Sequence, residues 1–368
     1  MLSLDRMTQV SAKRKDDMIK ENSLRIDLLK FVCAILVVSI HSWWPLGQSW
    51  SFTWIANQTV FSQGLSRIAV PFFFICSGYF LAKHLNTKAE WWAAVRKRMR
   101  TLVVPFVVWT IIGVIFVPVC LEVFNDILTG NSFGASAWKL LQEKDWIGDL
   151  GLSCWKVPGV YQLWYLRSLF LLVMLAPLIS WCVQKLGWKW FAACFVGMVL
   201  GSALPQDGEA CSYHFFRHFF SLEGLFYFSG GIYFYHHPII NFRRGGVCAI
   251  IALALTALKL IFLVNGFEQY SSMCGEVSIP FMLYVIWCLT PAKNLPRWLV
   301  DMSFPIYVMH VTILYGLNPI LVRLLNVNEQ PQICSLFRLC GGVLGSILVA
   351  HLLRRYCPRF ARLAFGER

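Results

Sequence analysis

Lys30 and His41 stand eleven residues apart in the first apolar stretch of the chain, Arg25 to Pro45. At 100° per residue that is three turns plus about 20°, so both side chains fall on one helix face, roughly 16–17 Å apart along the axis. Asp27, fourteen residues before His41, lies within about 40° of the same line. Ionisable groups inside a bilayer cost roughly 2.5–3.5 kcal/mol on insertion scales, so a helix that keeps them faces a cavity or a partner. An imidazole with an unperturbed pKa near about 6.5 can take a proton from an alcohol and return it to a leaving group. The structural reading of the same residue is a hydrogen bond across helices. The charged mouth at Lys30 and the polar neighbours Ser39 and Ser42 favour chemistry.

A second constellation runs from Arg67 through Pro71 to Ser77, Gly78 and Tyr79. Proline is easiest in a first helical turn, and a Ser-Gly pair lets another backbone or a ligand come close. Arg167 sits a turn or two inside another apolar stretch, after Trp164 and Tyr165, and its cost there demands a partner. Glu223 is one candidate. In Ser303-Phe-Pro-Ile-Tyr307-Val-Met-His310, Tyr307 and His310 share a helix face near the inner end of a span. His310 is expected to point into the bundle. Arg96, Lys97, Arg98 and Arg100 form a basic cluster just before another apolar run. Its two readings are a collar facing phospholipid and a landing site for a nucleotide phosphate.

The elements that must position these residues are membrane helices. The 368 residues are 57% hydrophobic and only 14% charged, with a mean hydropathy of +0.59. A soluble chain is about 25% charged. Ten spans are expected, roughly at 28–46, 67–83, 101–121, 160–183, 190–205, 217–235, 247–265, 277–290, 304–322 and 333–353. The net charge of +14 is mainly an orientation signal: with the N-terminus cytoplasmic, 24 basic residues fall on inner segments and five on outer ones. Both termini are then cytoplasmic, and no nucleic acid partner is needed. The fold class is all-α, a polytopic bundle of about ten helices. Residues 1–23 form a polar basic cytoplasmic tail, 24–353 the membrane domain and 354–368 a basic cytoplasmic C-terminal tail.

The first apolar run is followed by Trp43, Trp44 and Pro45, with no clear cleavage site, and is read as a retained helix. The thirteen cysteines show no metal-ligand spacing and behave as small hydrophobes. Cys154, Cys211 and Cys274 lie on the outer side, where pairing is open to them. The long outer gap from Glu122 to Gly159 is expected to cap the outer face, with a short amphipathic helix near 135–147. Trp50, Trp54, Trp146, Trp155 and Trp164 lie in the outer half, as an aromatic belt or as platforms for sugar rings.

Taken together, Asp27 and Lys30 ahead of His41, Arg67 to Gly78, the Arg96–Arg100 cluster before Pro105, Trp164-Tyr165-Leu, Ile306-Tyr307 with His310, and the closing Pro358-Arg359 and Gly366-Glu-Arg368 resemble the acyltransferase 3 family over about 24–368. The resemblance implies transfer of an acyl group, commonly acetyl from acetyl-CoA, to a hydroxyl of a cell-envelope carbohydrate or lipid-linked glycan at the bacterial inner membrane. It maps the family's catalytic histidine onto His41 and its second-helix arginine onto Arg67. The family's usual arginine eleven residues before the histidine is Lys30 here, which keeps the charge but loses bidentate phosphate recognition. On this view Lys30, Arg96, Lys97, Arg98 and Arg100 hold the donor. Asp27, Ser77, Trp164, Tyr165, Arg167, Glu223, Tyr307 and His310 bind substrate or support the site, and no metal is involved. The other classes are a transporter or flippase for an anionic envelope precursor, and a non-catalytic partner in an envelope-synthesis complex.

Overall fold

The computed structural model describes residues 2–42, 64–129, 134–204, 211–237, 244–324 and 331–367. In chain order it comprises α1 (Leu2–Ser42), a 3₁₀ turn (Leu65–Ile68) opening α2 (Ala69–Ala82), and α3 (Lys88–Arg98), α4 (Val104–Ile111) and α5 (Val117–Thr129) in one rod. Next come α6 (Ala135–Glu143), α7 (Trp146–Asp149), a 3₁₀ turn (Tyr161–Leu163) opening α8 (Trp164–Leu186), α9 (Trp188–Ser202), and α10 (Cys211–His214) with a π turn at Phe215–Phe219. The chain continues through α11 (Leu222–His236), α12 (Gly245–Val264), α13 (Glu268–Leu289), α14 (Arg297–Val300), α15 (Ser303–Leu324), α16 (Pro331–Tyr356) and α17 (Pro358–Phe365). No strand occurs among the described residues.

Each of the ten expected spans overlaps a helix. Among the described residues six helical segments are long and apolar enough to cross a membrane: Leu65–Ala82, Lys88–Val123, Tyr161–Leu186, Gly245–Val264, Glu268–Leu289 and Ile333–Tyr356. The expected fifth span is only the 15-residue α9. The helix anticipated near 135–147 is present as α6 and α7. The N-terminal segment expected as a tail continues α1 back to Leu2. The end of the first span (43–46), Trp43, Trp44, Trp50 and Trp54 lie outside the described residues. Cys154 and Cys274 are free thiols, and the Cys211 side chain is not among those described.

Local chemistry explains several joints. Thr87 caps α3 by accepting from the Glu90 amide at 3.2 Å, and Arg96, Lys97 and Arg98 occupy its last turn, where cations suit the helix dipole. Pro105 and Pro118 cannot donate to the fourth residue back, and each follows a π turn (Met99–Val103 and Ile112–Phe116) that lets the rod continue past the missing bond. α2 and α11 cross with their backbones in contact. A Cβ on Gly78 would collide with the Phe228 carbonyl, and one on Gly231 with the Ile75 carbonyl, so two backbones touch where only glycine fits.

α1 packs against α2, α15 and α16, and its inward face (Cys33, Ala34, Val37, Val38) is fully buried. The C-terminal segment is also docked. Trp109 Nε1 donates to the Ala364 carbonyl at 2.8 Å and its ring stacks on Phe365, both buried. α17 therefore clamps α4 to the end of α16.

Candidate active site

His41 occupies the last turn of α1. Its ring centroid lies 5.2 Å from that of His310 on α15 and 5.8 Å from that of Tyr161. Arg338 on α16 donates to the His41 carbonyl at 2.9 Å and so ties α16 to the His41 turn of α1. Ser39 and Ser66 meet at 3.1 Å between their hydroxyl oxygens and tie α1 to the turn that carries Arg67.

Tyr161 is held from two sides. Its hydroxyl lies 3.0 Å from His218 Nε2, and His218 Nδ1 lies 3.4 Å from His214 Nδ1. One residue on, Gln162 Nε2 donates to the Val308 carbonyl at 3.2 Å while Tyr307 Oη donates to the Gln162 carbonyl. These reciprocal bonds lock the 161–163 turn onto α15, the helix of His310.

The His310 side chain is fully buried, as expected. Its Nδ1 lies 2.8 Å from the Tyr307 carbonyl oxygen and 3.1 Å from that of Ile306. A carbonyl oxygen can only accept, so Nδ1 carries the proton and Nε2 of the neutral ring carries the lone pair. Nε2 has no hydrogen-bond partner among the described residues.

Arg67 enters a buried ionic cluster. Its Nη2 is 3.2 Å from Glu276 Oε1, which is also 2.7 Å from Arg217 Nη1, and Arg217 Nη2 is 3.7 Å from Glu223 Oε2. Glu223 thus pairs with Arg217, not with Arg167. Arg167 instead donates to backbone carbonyls, to Gly151 at 2.9 Å, Ser153 at 2.7 Å and Lys156 at 3.1 Å, and stacks over Phe219. The partner that its depth demands is the loop leading into α8. In the same loop Asp145 accepts from Lys156 Nζ at 2.6 Å and from the Gly148 amide, contacts that hold its carboxyl below the usual range.

Trp164 is buried against His218 and Phe74, so it is a wall beneath Tyr161. Trp138, Trp146 and Trp155 in the preceding segment are exposed.

About three turns before His41 on α1, Lys30 Nζ is 3.3 Å from Asp27 and 4.6 Å from the Phe80 ring centroid. Arg98 turns inward, donating to the Ser77 carbonyl at 3.5 Å, and Ser77 Oγ lies 3.5 Å from Tyr165 Oη. Arg96, Lys97 and Arg100 are exposed. Between Lys30 and His41, Ala34 and Val37 are packed shut. The open space along α1 is on another face: a cavity of about 510 Å³ runs past Asn22, Ile26, Leu29 and Cys33. Its lining also includes the exposed Trp188 and Tyr233 and the buried Ile68 and Phe72, Ile68 being the neighbour of Arg67 in the chain. Tyr227 Oη and Trp287 Nε1, from two of its lining residues, are buried with no hydrogen-bond partner among the described residues.

Glu276, Arg217, His218 and Tyr161 carry no role in the sequence reading. Two signals for them existed: a carboxylate at the edge of an apolar span, and the i, i+4 spacing of His214 and His218. Among the described residues no group of three or more His, Cys, Asp or Glu side chains could hold a metal ion.

A helical membrane-type bundle with two buried histidines and an arginine–glutamate cluster is the class these features define. The chain belongs to the acyltransferase 3 family, whose acyltransferase domain model matches residues 23–355. It is 24% identical over 250 residues to the succinoglycan biosynthesis protein ExoH of Rhizobium meliloti (strain 1021), covering 66% of this chain and 62% of that protein. A 65-residue segment, 18% of the chain, is 40% identical to 8% of an amino-acid racemase of Enterococcus faecalis. No solved structure matches the chain.

Proposed function

We propose that the protein is an acyltransferase of the bacterial inner membrane, with both termini cytoplasmic. It moves an acyl group, by preference acetyl, from acyl-CoA to a hydroxyl of a cell-envelope carbohydrate or lipid-linked glycan. The observation that carries this reading is the His41–His310 pair beside Arg67 in a chain of this family. The relative's printed role in making succinoglycan, a polysaccharide, supports a glycan acceptor.

His41 acts as general base. It takes the acceptor hydroxyl proton as that oxygen attacks the thioester carbonyl carbon; the C–S bond then breaks and the thiolate receives the proton. Such catalysis is worth about 10²–10⁴-fold. Arg67, oriented by Glu276, faces the developing oxyanion. The exposed Arg96, Lys97 and Arg100, together with Lys30, meet the CoA phosphates at the cytoplasmic face. The cavity along α1 offers a route for the pantetheine arm, whose amide carbonyls can accept from Tyr227 Oη and Trp287 Nε1, two donors with no partner among the described residues.

The test uses full-length protein in sealed vesicles, with labelled acetyl-CoA on the cytoplasmic face and envelope glycan on the outer face. Label should appear on the glycan with wild type and not with His41→Ala. Equal labelling by a well-inserted His41→Ala protein would remove the base assignment, and glycan that changes sides without label would point to transport.

A further inference from the structure

The orphaned nitrogen of His310 has a consequence for how His41 works. Leaving a buried polar atom without a partner is costly, so Nε2 of His310 calls for a donor. Several neighbouring groups are engaged elsewhere: Tyr161 Oη with His218, Tyr307 Oη with the Gln162 carbonyl, Arg67 with Glu276, and Arg338 Nη2 with the His41 carbonyl. Among the described residues, the His41 ring faces His310 at a centroid distance of 5.2 Å and has an N–H to offer.

The spacing suits it. An N–H···N bond of about 3 Å between two imidazoles puts their centroids about 5 Å apart, and these centroids are 5.2 Å apart with ring planes inclined at 40°. The torsion that aligns them, χ2 of a histidine, is broad and soft.

We propose that His310 is a positioning residue: its Nε2 accepts the N–H on the side of the His41 ring turned away from substrate, which fixes the lone pair of His41 on the reacting hydroxyl. The proposal rests on His41 being the base. When His41 takes the hydroxyl proton it becomes an imidazolium with two N–H donors. One faces the substrate and later returns the proton to the departing thiolate; the other stays on His310. A neutral imidazole thereby does what a carboxylate does behind many catalytic histidines: it orients the ring and shares the charge that forms. The Nδ1–H bonds of His310 to the carbonyls of its own helix make this possible, because they keep its lone pair pointing outward at Nε2.

The experiment measures release of free CoA thiol from acetyl-CoA by full-length protein in nanodiscs, with envelope glycan extracted from the source cells as acceptor. His310→Ala should lower kcat about 10²-fold, leave the KM for acetyl-CoA within about twofold, and move the acid limb of the pH–rate profile to lower pH. His310→Gln, whose amide oxygen can accept, should recover at least about tenfold of that loss. ¹⁵N-histidine spectra should show one Nδ1-protonated ring that is lost in His310→Ala, which reads the tautomer independently of activity. Wild-type kcat in His310→Ala, equal losses in Ala and Gln with an unmoved acid limb, or an Nε2-protonated His310 would each overturn the proposal. If His41→Ala is fully active the base assignment falls and takes this inference with it. If His41→Ala is dead while His310→Ala matches wild type, only the inference falls.

Discussion

Glu276 Oε1 lies between two arginines, 3.2 Å from Arg67 and 2.7 Å from Arg217, with the carboxylate almost fully enclosed. Removing one member of a buried ion pair strands the other charge and costs about 3–5 kcal/mol. Glu276→Ala should therefore lower thermal stability in detergent sharply, whereas Glu276→Gln keeps a hydrogen-bond acceptor and should fold with reduced turnover. A Glu276→Ala protein as stable as wild type would show that the cluster is not a structural unit.

Arg167 fastens the 151–156 loop to α8 through three carbonyls. Hydrogen bonds to a charged group are worth about 1.5–3 kcal/mol together with the packing they hold. Arg167→Met should insert normally but expose the loop to limited proteolysis. Arg167→Lys should rescue only part of this, because one ammonium cannot span the three acceptors that a guanidinium fork reaches. Unchanged cleavage in Arg167→Met would show that the loop is held by other contacts.

The crossing of α2 and α11 separates three glycines that look alike in sequence. Gly78→Ala and Gly231→Ala drive a methyl into a backbone carbonyl that cannot step aside. Each should cost at least the roughly 1–3 kcal/mol of overpacking and depress the yield of folded protein. Gly230→Ala meets only the Phe234 side chain at 3.9 Å and should be tolerated. Thermal unfolding of the three variants side by side is the check, and equal behaviour would mean that the two helices separate easily.

Phe365 is buried against Trp109 near the end of the chain. Truncating a buried phenylalanine typically costs about 3–5 kcal/mol. Phe365→Ala, or deletion of 358–368, should loosen α4 and α16 and increase hydrogen exchange around Trp109. Wild-type exchange in the deletion would show α17 to be dispensable.

Much of this molecule is written locally. Apolar length and the 3.6-residue repeat mark where helices run, and they place Lys30 and His41 on one face of α1 without reference to any other helix. The burial of His310 follows from the cost of an imidazole in lipid. The family, too, is legible in the order of short motifs. Which partner each charged group takes is not local. Arg67 meets Glu276 across 209 residues and Arg338 meets the His41 carbonyl across 297. Glu223 was a reasonable partner for Arg167 by composition, yet Arg217 reaches it and Arg167 is taken by backbone. The packing of α1 against its neighbours closes the direct line from Lys30 to His41 and leaves the open space on the Asn22–Cys33 face. The sequence by itself determined which residues are too costly to leave unpaired in a membrane. Tertiary packing decided which atoms pair, because hydrogen bonds and ion pairs act over about 3 Å and only the folded bundle brings distant segments that close.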